Sequence, residues 1–299
     1  MNISIKRVQH DACIGAAERE KFGTQFKKYI FMAVAGMLAL SSCSNDDNDI
    51  QDVQNAPRQM TFTADFGDGA QTRADLNFST YAVTFVANDE ISILSAKNTN
   101  TKFTTTAGGA SATFSGTATD DSKFYAVYPY TAGLALSGDV ISGVVIPSDQ
   151  WNDKWGNYTE DESSWDPKAP IAYATTTGSS LQFHNLCAIL KIRPYWGGDG
   201  WITISADQYL AGTFSLDTST TPATLTAIAG SKTVTIGSSS GIMKRVMGYG
   251  SYLYIAIAPG SYTNFKVRTA DVNGNKEKTK ASVTFEAGKI YNLGDVQPY

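Results

Sequence analysis

The chain has 299 residues, 24 Lys and Arg against 28 Asp and Glu, and a formal net charge of −4. This length suits two ordinary domains, and no cluster of basic side chains offers the phosphate contacts that nucleic-acid binding needs. Apolar residues make up 42%, with 15 Tyr and 14 Phe, and this aromatic content alongside abundant Ser, Thr and Gly favours strands and turns over helices.

The first predicted element is an export signal. Lys27 and Lys28 precede an apolar stretch of 12 residues, Tyr29 to Leu40, and Leu40-Ser41-Ser42-Cys43 closes it. As a helix the stretch reaches only about 18 Å, short of a bilayer core of roughly 30 Å, so it reads as the h-region of a signal peptide spanning 1–42. Leu-Ser-Ser-Cys resembles the lipobox of bacterial lipoproteins. That likeness implies cleavage between Ser42 and Cys43 and acylation of the Cys43 thiol, a stable anchor once two or more chains such as palmitate are attached. Without the six basic and three acidic residues of the signal, 18 basic and 25 acidic residues remain, a balance of −7.

Residues 43–58 form a polar tether that begins Ser44-Asn45-Asp46-Asp47-Asn48-Asp49. The run resembles the acidic signal that sends lipoproteins of Bacteroidota to the outer face of the outer membrane. It has neither the Gly nor the terminal Glu of an EF-hand loop, so no calcium or other metal site is expected there.

From Met60 the pattern has period two. Met60, Phe62, Ala64 and Phe66 share one face and Thr61, Thr63 and Asp65 the other, which predicts a half-buried strand. Similar strands are predicted at Tyr81–Val86, Glu90–Leu94, Lys102–Thr105, Ala112–Ser115, Lys123–Tyr128 and Val140–Ile146. Asp149–Pro170 reads as a loop with Trp151, Trp155 and Trp165 among acids and Asn. Such rings either stack on a sugar or cover apolar surface, being large and amphipathic.

A second set of strands is predicted from about Leu181. It comprises Ala188–Pro194, Trp201–Ser205, Gly212–Leu216, Ala223–Ala227, Thr233–Ile236 and Tyr252–Ala258, a hairpin from Asn264 to Phe285, and Lys289–Val296. Asn273-Gly274 marks the hairpin turn, with a connection longer than two residues. Short strands with regular turns predict an all-β chain of two antiparallel sandwiches, 59–180 and 181–299.

Catalysis is not expected. His10 falls in the signal, and His184 alone cannot make a His-based zinc site. Gly237-Ser238-Ser239-Ser240-Gly241 matches the nucleophile-elbow pattern, but no histidine follows it. There is no P-loop and no dinucleotide fingerprint, so no cofactor is expected. Cys187, in the apolar run Leu186–Ile192, reads as a small buried hydrophobe.

Several short patterns form a set. They are Phe85-Val86-Ala87-Asn88-Asp89-Glu90-Ile91, Phe124-Tyr125-Ala126-Val127-Tyr128-Pro129-Tyr130 and Ile146-Pro147-Ser148-Asp149-Gln150, then Leu181–Ala188, Ala211-Gly212-Thr213-Phe214, Ala258-Pro259-Gly260-Ser261-Tyr262 and Ala287-Gly288-Lys289-Ile290-Tyr291. In order and spacing, from about Gln59 to the C-terminus, the set resembles the fimbrillin-like proteins of Bacteroidota, the subunits of type V pili. Phe85 stands where the family pattern has Trp, and Asn88 where it has Gly, a change that the left-handed tolerance of Asn permits.

The resemblance implies tandem transthyretin-like, Greek-key sandwiches, a surface lipoprotein, and assembly by strand complementation between fimbrial subunits. In its polymerising members a trypsin-like protease cuts after an arginine and removes the first strand. Gln71-Thr72-Arg73-Ala74 sits where that cut would fall, between Arg73 and Ala74. The segment Ala281–Tyr299 is then the donor, or else a permanent strand of its own domain. The alternative reading is a carbohydrate-binding surface lipoprotein using Trp151, Trp155 or Trp165.

Overall fold

The alternation at Met60–Phe66 becomes strand β1, Arg58–Phe66, with Phe62 and Ala64 buried and Thr61 and Thr63 exposed. The structure, a computed structural model, describes residues 56–67, 75–76, 83–150, 164–166, 168–194, 200–236, 252–271 and 274–296. After β1 come β2 (Asp75–Leu76), β3 (Val83–Thr84), β4 (Glu90–Leu94), β5 (Thr101–Thr105), β6 (Ser111–Ala118), β7 (Phe124–Tyr128), β8 (Ala135–Ser137), β9 (Val140–Ile146), β10 (Asp149–Gln150), β11 (Ser164–Trp165), β12 (Ala172–Thr176), β13 (Ser180–Asn185) and β14 (Ala188–Pro194). The remainder are β15 (Gly200–Ser205), β16 (Ala211–Asp217), β17 (Thr224–Ser231), β18 (Thr233–Ile236), β19 (Leu253–Ile257), β20 (Gly260–Asp271), β21 (Gly274–Phe285) and β22 (Ile290–Val296). Among the described residues there is no helix, and the chain is all-β as expected.

Seven strands close into a barrel in the order β1-β13-β12-β7-β4-β5-β6. Its interior holds Phe62, Phe85, Ile91, Phe103, Phe114 and Phe183. Three further sheets run β10-β18-β15-β20-β21, β11-β19-β14-β22 and β17-β16-β9-β8. They share a second core around Ile141, Cys187, Ile189, Phe214, Ile255 and Tyr262. Strands β2 and β3 pair with each other.

One expectation is corrected. The sheets are not antiparallel throughout, because β1 with β13, β10 with β18, β11 with β19 and β14 with β22 are parallel. Parallel neighbours need a long crossover, and each pair joins strands far apart in sequence, where a local pattern carries no information. Seven of the strands close into one ring because β1 pairs on both sides.

The strand sets are interleaved along the chain. Strand β13, which begins where the second set was expected, pairs with β1 and β12 inside the barrel. Strands β8 and β9 leave the barrel and pair with each other and with β16. The expected loop at Asp149–Pro170 contains two pairings, β10 with β18 and β11 with β19. The hairpin pairs from Gly260 opposite Phe285 up to Asp271 opposite Gly274, so only two residues connect its arms instead of the longer link expected.

Candidate functional site

The feature that separates β1 from an ordinary terminal strand is its double pairing. On one side it lies antiparallel to β6, from Arg58 opposite Ala118 to Asp65 opposite Ser111. On the other it lies parallel to β13, from Thr63 opposite Ser180 to Phe66 opposite Phe183. The Thr63 amide adds a bond to the Ser179 carbonyl at 2.8 Å. A strand with neighbours on both edges leaves two unpaired edges behind if it is withdrawn.

Its inward side chains fill distinct places. The Phe62 ring meets Phe103 at 5.4 Å and Phe124 at 5.1 Å, both edge-on. Phe66 stacks on Phe85 at 4.8 Å and lies 5.9 Å from Tyr128 and 5.7 Å from Phe183. Between them Ala64 is 0% exposed, flanked on its own face by Ala112 of β6 and Leu181 of β13. Met60 is half-buried and opposes Gly116. A Cβ at Gly116 would stand 2.6 Å from the Phe103 ring, so only glycine lets that ring reach Phe62.

The site is apolar. An ion pair of Arg58 with Asp120, at 2.7 Å, is at the exposed end of β1, where such pairs contribute at most about 1 kcal/mol. Among the described residues no group of three or more His, Cys, Asp and Glu could hold a metal ion. His184 is exposed on β13 with its ring 5.7 Å from Tyr173. Cys187 is buried in the second core, where it accepts from the Ile171 amide at 3.5 Å, and burial pushes its thiol up to about 12.

Of the residues singled out from sequence, Ser42, Cys43, Arg73, Ala74, Trp151 and Trp155 lie outside the described residues, as does the Gly237–Gly241 run. Trp165 is in β11, opposite Tyr254 of β19. The tail divides between the end of β21 and β22, which pairs with β14 from Ile189 opposite Ile290 to Pro194 opposite Val296. The groove partners of β1 on β13 were not foreseen, although the alternation of Leu181 and Phe183 was a usable signal.

No family model and no curated protein matches the sequence. Among solved structures, the chain is similar to one described as a "putative cell adhesion protein" from Bacteroides uniformis, with 17% identity, 79% of this chain and 92% of that one covered, and a TM-score of 0.48. A second so described, from Bacteroides ovatus, has 14% identity, 80% and 92% coverage and a TM-score of 0.44. A fimbrial protein from Bacteroides ovatus has 12% identity, 71% and 46% coverage and a TM-score of 0.34. At such identities and scores the role of this chain is left to its own residues.

Proposed function

We propose that the protein is a cell-surface fimbrial subunit or adhesin, exported as a lipoprotein through Cys43 and assembled by removal and replacement of β1. The reading rests on one observation, the insertion of β1 between β6 and β13 with Phe62 and Ala64 fully buried beneath it. Cleavage between Arg73 and Ala74 severs the segment that carries β1 from the rest of the chain. Its loss uncovers the aromatic groove together with two rows of backbone N–H and C=O groups. An extended segment of another fimbrial subunit restores both, the ladder giving affinity and the pockets giving register.

Magnitudes make replacement necessary. Truncating one buried Phe costs about 3–5 kcal/mol, whereas a whole domain is stable by about 5–15 kcal/mol. A barrel without Phe62, Ala64 and Phe66 has lost a large share of that margin and will either refill or unfold. The tandem transthyretin-like arrangement, the outer-membrane location and the fimbrial partners belong to the same proposal and are supported by the family resemblance of the sequence.

Arg73→Ala tests it on cells. The variant should remain a monomeric lipoprotein with its N-terminus at Cys43, while the unaltered chain gives a ladder of polymers on a gel. A ladder of equal strength from Arg73→Ala would refute the processing step.

A further inference from the structure

We infer that the β1 groove selects its replacement strand by a four-position code, and that this chain's own C-terminal segment does not satisfy it. The inference rests on the strand-replacement reading above and identifies the partner by its chemistry. The code is large apolar, x, aromatic, x, Ala or Gly, x, aromatic. Each position follows from a contact. The Met60 place is half-open and asks only for bulk. The Phe62 place is bounded by the edges of Phe103 and Phe124. The Ala64 place is closed, with Ala112 and Leu181 beside it and 0% exposure. The Phe66 place is a box of Phe85, Tyr128 and Phe183.

In the whole sequence the four-position pattern occurs only at Met60–Phe66. Its last three positions recur once, at Phe124, Ala126 and Tyr128, and those belong to β7 of the same barrel. The tail fails in each register. Phe285 and Ala287 fit the middle places, but Lys289 would then bring an ammonium into the aromatic box, and burying an unpaired charge is strongly unfavourable. Starting at Ile290 places Asn292 against Phe103 and Phe124, and starting at Tyr291 places Asp295 in the closed Ala64 position. Tail and β22 are moreover already used, paired with β14. The occupant is therefore a segment of a different polypeptide carrying aromatic-x-small-x-aromatic, and copies of this chain alone do not polymerise tail into groove.

The test uses the full chain with a site for a sequence-specific protease inserted after Arg73. After cutting, the protein is mixed with fluorescent peptides of sequence 58–67, the same peptide with Ala64→Leu, and 281–299. Uptake is read on a native gel. The 58–67 peptide should exchange in, and the Leu version should be weaker by about tenfold or more, as overpacking a closed site predicts. The 281–299 peptide should leave the protein unlabelled. Uptake of 281–299 equal to that of 58–67, or no loss with Leu, overturns the code while leaving strand replacement intact. Failure of every peptide, 58–67 included, with the native strand still bound after cutting, overturns strand replacement itself and the code with it.

Discussion

Asn88 has φ of 70°, the left-handed conformation that its place in the sequence pattern demanded, and Asn is among the few side chains that accept it. The turn it forms ends β3 and leads into β4, with the Val86 amide held by the Asp89 carboxylate at 2.9 Å. Phe85, beside it, is in van der Waals range of the barrel's aromatic interior, 5.2 Å from Phe114 and 5.7 Å from Tyr128. A branched residue at 88 should be strained. Asn88→Val is expected to destabilise by about 1–2 kcal/mol and Asn88→Gly to be near neutral, measured by urea unfolding. Gly116 carries the opposite lesson. Its side-chain absence makes room for Phe103, and Gly116→Ala should cost about 1–3 kcal/mol by overpacking. Cys187 is the simplest to check. A thiol raised to about 12 by burial stays protonated and inaccessible, so maleimide should label it only after unfolding, and labelling of the folded chain at its unfolded rate would contradict the buried position.

At the scale of elements, the strands legible in the sequence are those with large apolar residues in strict alternation, such as β1 and β18. The overlooked ones lack that signal. Strand β12 buries Ala172 and Ala174, too small to mark a core face, and β8 is three residues long between Gly133 and Gly138. The hairpin shows a third cause. Asn264 has φ of 51°, and the buried residues on either side of it, Tyr262 and Phe265, are three apart and not two. Alternation therefore breaks at Asn264, and the sequence pattern begins only after it although the strand starts at Gly260. Double pairing of β1 had no local signature either, because β13 lies more than a hundred residues downstream. The groove was legible in its β1 half, whereas in its β13 half the alternation of Leu181 and Phe183 marked a strand but not its partner. Phe62→Ala should destabilise the uncut chain by about 3–5 kcal/mol, whereas Thr61→Ala, on the exposed face, should change stability by less than about 0.5 kcal/mol. Equal effects in thermal melts would mean that the inward face of β1 is not what closes the barrel.

For the whole molecule, surface carboxylates add an acid limit to stability. Asp139 accepts from Lys123 at 2.5 Å and from Tyr125 at 2.5 Å, which ties the β8–β9 turn to β7. These bonds, Lys123 first, hold its carboxyl below the ordinary 3.8, and Arg193 does the same for Asp295. A depressed folded value means that the stabilisation is complete above the ordinary value and is lost as pH falls below it. Melting temperature should therefore fall from about pH 4 downward, and Asp139→Asn should flatten that fall. A molecule equally stable at pH ~2 and pH ~6 would contradict the sign. Lys123 is raised by the same Asp139 contact, so its share of the stabilisation is present below 10.5 and fades as pH rises past that value. The edge strand β21 presents Lys276, Lys278 and Lys280, all exposed, and charged edges of this kind resist casual pairing. On the proposed reading another chain enters at the covered groove and not along such an edge. The measurement that bears most directly on this is the N-terminal sequence of subunits taken from polymer on the cell surface. Subunits that begin at Ala74, having lost β1, are the expected result; polymer whose every subunit still carries Arg58–Phe66 would contradict it.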